Sequence, residues 1–108
     1  IILGVSGDAC AATALNAGYD AWYSVIGGLF PEQALELSRA EPPRAIALSE
    51  RLTPLWALFT RFGSLRCIAS AAEMMGLAAT PCLPAPLRAL EGEARQELAE
   101  VLERLGLV

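Results

Sequence analysis

Two short stretches hold most of the residue types that could handle a small ligand. Ser6-Gly7-Asp8 sets a carboxylate behind a glycine, and Tyr23-Ser24 stands just ahead of Gly27-Gly28 and Pro31-Glu32. A short apolar run, a glycine loop and a helix start with an acidic residue beside its positive end make the usual geometry of an α/β ligand site. Gly27-Gly28 could cradle a phosphate, but neither G-x-G-x-x-G nor P-loop spacing is present. Asp8 can cap a short following helix, Gly7 suits a tight turn, and Tyr23 can pack in a strand with its hydroxyl satisfied nearby. The chain contains no histidine and no lysine, so its positive charge rests on eight arginines. Cys10, Cys67 and Cys82 are odd in number and far apart, with no Cys-x-x-Cys pair and no histidine to complete a zinc site. They read as reduced, partly buried residues of a cytoplasmic protein. No metal and no cofactor is expected.

The elements around these stretches follow from the pattern of apolar residues. Ile1-Ile2-Leu3-Gly4-Val5 reads as a strand met in its middle, ended by Ser6-Gly7-Asp8. Residues 9–16 are alanine-rich and helical, with Gly18 suited to the left-handed position beyond the end. Residues 21–26, Ala-Trp-Tyr-Ser-Val-Ile, are aromatic and β-branched without polar alternation, as in a strand covered on both faces. Strand, helix and strand at this spacing form a right-handed parallel unit. Helices are expected over 31–40, over 44–61 with a kink at Pro54, over 65–75 behind a Ser64 cap, and over 91–105. In the third of these, Leu65, Ile68, Ala72 and Met75 are expected to face inward. Glu91–Arg95 and Glu100–Arg104 are spaced as ion pairs on the last helix. Residues 78–87, with Pro81, Pro84 and Pro86, form an extended connector.

At 108 residues the ceiling is one domain with a modest core. Apolar residues make up 55% and charged ones 19%, an excess that implies surface meeting another part of a larger protein. A net charge of −4 without lysine is a poor match for nucleic acid or an anionic membrane. No apolar run reaches the roughly 18 residues of a membrane helix, and there is no signal-peptide pattern. Two parallel strands alone leave edges and an apolar face open, which soluble proteins avoid. The chain is therefore expected to be the C-terminal piece of a larger α/β protein.

Three groups of residues carry a family resemblance. Leu3-Gly4-Val5-Ser6-Gly7-Asp8 resembles the strand-7 end of the dihydrodipicolinate synthase/N-acetylneuraminate lyase family, and Gly18 to Ser24 resembles its strand 8, with Pro31-Glu32 at the helix start that follows. Arg51 to Leu55, Gly63 to Arg66 and Met75-Gly76-Leu77 resemble its C-terminal helices in the same order. The resemblance implies an α/β fold: strands 7 and 8 of a (β/α)8 barrel over residues 1–40, then a C-terminal helical extension over 41–108. Such barrels run to about 250 residues and more. It further implies a class I aldolase-type lyase, in which a lysine forms a Schiff base with pyruvate or another 2-oxo acid. That lysine lies outside this chain, so no catalytic residue is assigned here. Gly7, Asp8, Tyr23 and Ser24 are the implied substrate-binding residues, with Tyr23 narrowing a wall where the family commonly has isoleucine. Ala9 stands where the family often has a second acidic or polar residue. The implied partners are the rest of the barrel, a 2-oxo acid and further copies in a homo-oligomer. Two alternatives stay open: a helical protein-interaction module, and a barrel homologue with hydratase or no activity.

Overall fold

The computed structural model describes all 108 residues, which fold as two compact units, Ile1–Thr53 and Pro54–Val108. In the first, β1 (Gly4–Ser6) pairs in parallel with β2 (Ala21–Tyr23), in the register Gly4↔Ala21, Val5↔Trp22 and Ser6↔Tyr23. A 3-10 turn (Asp8–Cys10) and helix α1 (Ala11–Asn16) make the crossover. Both strands are shorter than their apolar runs. Ile1 and Ile2 stay exposed outside β1, and β2 stops at Tyr23 because the backbone beyond it curls into a second 3-10 turn, Ile26–Gly28. The amides of Val25 and Ile26 bond to the Asp8 carboxylate instead of a neighbouring strand.

Helix α2 (Pro31–Arg39) opens with its proline in the first turn, where the missing N–H costs nothing. Helix α3 (Pro42–Arg51) does the same with Pro42 and Pro43, so these prolines start a helix rather than merely closing the previous one. Val5 and Trp22 alternate toward the helices, Gly4, Ser6, Ala21 and Tyr23 to the other face. Ala11, Ala12, Leu37 and Ala45 form a buried cluster, with Leu15, Trp22, Ala40 and Ile46 packed against it. Small alanines let α1 lie close to α2 and α3.

The expected single helix over 44–61 is two helices. The Leu52 amide bonds back to the Ser49 carbonyl, and α4 (Thr53–Phe62) starts afresh with Pro54 in its first turn. A proline at that position needs no hydrogen bond from the preceding turn, so a break relieves what a kink would strain.

In the second unit α5 (Ser64–Met74) packs against α6 (Gly92–Arg104), and residues 75–91 carry neither helix nor strand. Gly63, at φ 90°, holds the N-cap position of α5, and Ser64 makes no capping hydrogen bond. The buried side of α5 is Cys67, Ala69, Ser70, Ala71 and Glu73, whereas Leu65 and Met75 are exposed. Of the four residues expected inward, Ile68 and Ala72 are half-buried while Leu65 and Met75 face out, so the fully buried side is the one its small residues mark. Leu98, Val101 and Leu102 of α6 are buried as expected. Its ion pairs differ: Arg88 meets Glu91, Arg95 reaches Glu73 and Arg61 meets Glu97, while Glu100 accepts a hydrogen bond from the neutral Gln96. No helix is long and apolar enough to cross a membrane.

Candidate functional site

Parallel strands bring Gly7 and Ser24 to the same place, because each follows the matched pair Ser6↔Tyr23 at the C-terminal ends of β1 and β2. That edge is where open and closed parallel sheets bind ligands. Gly7 turns the chain there with φ 114°, in the region that favours glycine.

Asp8, only 5% exposed, occupies the centre of this edge. Its Oδ1 accepts from the Trp22 indole at 3.0 Å and from the Val25 amide at 3.1 Å, and its Oδ2 accepts from the Ile26 amide at 2.8 Å. It does not cap the turn it begins; it caps the one after β2, across the sheet. A carboxylate accepting three donors, one of them an aromatic N–H, ties the first strand end to the second.

Beside it the Ser24 Oγ accepts from the Gly27 amide at 2.8 Å, closing a tight turn. A Cβ on Gly27 would stand 3.1 Å from that oxygen, so glycine keeps the turn open enough to form. Tyr23 points to the other face and is 70% exposed. Its ring lies over Gly4: a Cβ there would sit 2.5 Å from Cε2, so the glycine makes room for the ring.

Of the four residues singled out, Gly7, Asp8 and Ser24 therefore surround one strand edge, and Tyr23 covers the adjoining open face. The Asp8 carboxylate is engaged within the fold, whereas the Tyr23 ring is open to a ligand. Neither of two cavities in the chain is lined by any of the four. One of about 490 Å³ lies on the helix side of the sheet, against Trp22, Pro31 and Ala34. Another of about 780 Å³ lies in the second unit, against Glu73, Leu83, Leu90 and Arg95. Sequence reasoning passed over Trp22 as a polar partner and Glu73 as a buried acid. A tryptophan fourteen residues after an aspartate carries no local signal, and Glu73 lies in a helix whose facing is read from its leucine and methionines.

No protein-family model and no curated protein matches the chain. Solved structures do. A dihydrodipicolinate synthase from Agrobacterium tumefaciens is 42% identical, with a TM-score of 0.87 over 94% of this chain and 35% of its own. The 4-hydroxy-tetrahydrodipicolinate synthase of Methylacidiphilum fumariolicum is 25% identical, at a TM-score of 0.86 over 98% of this chain and 36% of its own. A dihydrodipicolinate synthase from Thermotoga maritima, at 22% identity and a TM-score of 0.88, shows the same fold over 99% of this chain and 37% of its own. Over nearly all of its length the chain is similar to dihydrodipicolinate synthases, and it spans about a third of the length of these solved relatives.

Proposed function

We propose that this chain supplies strands 7 and 8 of a (β/α)8 barrel over residues 1–40 and its C-terminal helices over residues 41–108. The intact protein is then a carbon–carbon lyase or synthase that forms a Schiff base with pyruvate or another 2-oxo acid, through a lysine outside this chain. Gly7 and Ser24 line the substrate mouth, Asp8 holds the two strand ends beside it, and Tyr23 narrows the wall. No cofactor is needed, since the Schiff base itself withdraws electrons from the carbon bond being made or broken. The protein works in the cytoplasm as a homo-oligomer.

The observation that carries this reading is the 42% identity with the Agrobacterium synthase across nearly the whole chain. The parallel pairing of β1 with β2, and the meeting of Gly7, Asp8 and Ser24 at their C-terminal ends, support it. The same pairing speaks against a purely helical interaction module. The test is borohydride reduction of the full-length protein with pyruvate. The expected result is irreversible inactivation and a mass increase on one lysine. Without pyruvate-dependent labelling the chemistry would have to be that of a hydratase or an inactive homologue.

A further inference from the structure

The second unit contains a buried acid whose bonding is incomplete. The Glu73 side chain is 1% exposed, and its Oε1 lies 3.8 Å from the Arg95 Nη1, beyond hydrogen-bond reach. Its Oε2 is buried without a hydrogen-bond partner. Arg95 Nη1 meanwhile donates to the Leu90 carbonyl at 3.4 Å, so the nearby cation is shared. A buried carboxylate normally has a close counter-charge and donors on both oxygens, and one left short of them is costly.

Glu73 is also part of the wall of the open cavity of about 780 Å³ bordered by residues 80–92 and the start of α6. The rest of that wall is largely apolar, including Pro81, Leu83, Leu87 and Leu90. The Cys82 thiol also lies against Glu73, and Arg95 stands on the same wall. A largely apolar lining with a few polar groups and one under-bonded acid is the pattern of a small-molecule pocket. Arg88 and Glu91 at the rim lie 3.7 Å apart and offset each other. Arg95 meets only the Oε1 of Glu73 and only at 3.8 Å, so what the site lacks is an N–H donor for Oε2 next to hydrocarbon.

We propose that this cavity binds a small organic cation, an alkylammonium or alkylguanidinium, whose head bonds to Glu73 and whose chain lies along Leu83, Leu87 and Leu90. The site is independent of the strand edge and of the reaction proposed for it.

The test is calorimetric titration of the full-length protein with butylammonium, and with 1-butanol as the uncharged counterpart. Butylammonium is expected to bind saturably and butanol not. Hydrogen exchange is expected to slow at residues 73–95 only. Glu73→Gln should weaken the cation about tenfold or more, as loss of a charge-assisted bond does. Leu87→Trp, at an exposed part of the wall, should weaken it while leaving Glu73 in place, which keeps the test open if the first variant folds poorly. Equal binding of both probes, no saturable heat, or binding unchanged in both variants would overturn the proposal. Glu73 would then be an acid bridged by ordered water.

Discussion

Asp8 commits a whole carboxylate to three donors, and the effect of disturbing it follows from that. In Asp8→Asn one oxygen becomes an NH2 group, which can only oppose the donors it faces. At least one buried N–H is left unsatisfied, at a cost of about 2–3 kcal/mol. Trp22→Phe removes one donor and leaves both amides bonded, so its loss from this network should be smaller. Urea unfolding of the two variants should give that order. An unchanged midpoint for Asp8→Asn would mean that the three bonds contribute nothing net. Cys67 gives a prediction with a pH axis. Its fully buried thiol donates to the Leu58 carbonyl at 3.5 Å. Burial pushes it from 9.0 up to about 11, only partly opposed by Arg66. The folded chain therefore favours the neutral thiol, while the unfolded chain ionises near the ordinary value. This contribution is fully present below pH 9 and is lost as pH rises through 11, amounting to about 3 kcal/mol. Cys67→Ala should flatten the fall in stability across that window, although it lowers stability at neutral pH. A slope identical to that of the parent would sink the assignment. Neither effect could be read from residue order, because both depend on which distant backbone groups arrive beside the side chain.

At the scale of elements, the pattern of apolar residues located each helix within a few positions and both strands within their runs. It failed where a neighbour decided the outcome. β2 stops at Tyr23 because Asp8 takes the next amides, and the helix expected over 44–61 breaks at Leu52 because Pro54 prefers a first turn. For α5, size misled: the buried side carries small residues, among them Ser70. The Ser70 Oγ donates to the Arg66 carbonyl and accepts from the Leu90 amide, both at 2.7 Å. Arg66 Nε adds a bond to the Arg88 carbonyl at 2.7 Å. Together they pin the end of the proline-rich connector to α5. Ser70→Ala strands the buried Leu90 N–H and should cost about 1–3 kcal/mol. Arg66→Ala, losing a bond among exposed groups, should cost less. Hydrogen exchange should then quicken at residues 87–92 in Ser70→Ala, with α6 beyond Gly92 little changed. Uniform acceleration through α6 would mean that the serine holds the helix rather than the connector.

For the molecule as a whole, the open sheet decides how the chain must be used. β1 and β2 bond to each other, and their other edges have no neighbour. Ile1, Ile2 and Leu3 are 115%, 83% and 48% exposed, and Tyr23 on the open face is 70% exposed. A two-stranded parallel sheet with such edges is not stable by itself in water. The helices of the first unit cover one face only, through Val5 and Trp22. What covers the other face and edges in the proposed barrel is its remaining strands, which the match to a third of each solved relative leaves room for. The chain expressed as 108 residues should therefore exchange its strand amides, at residues 4–6 and 21–23, orders of magnitude faster than its buried helix α5. In the full-length protein the same strand amides should become as slow as those of α5, because they then lie inside a closed ring of hydrogen bonds. Comparing exchange in the two forms tests the barrel without reference to catalysis, so it can succeed even if borohydride traps nothing. Strand amides equally protected in the short chain would show a sheet complete with two strands, and the need for a surrounding barrel would fall away.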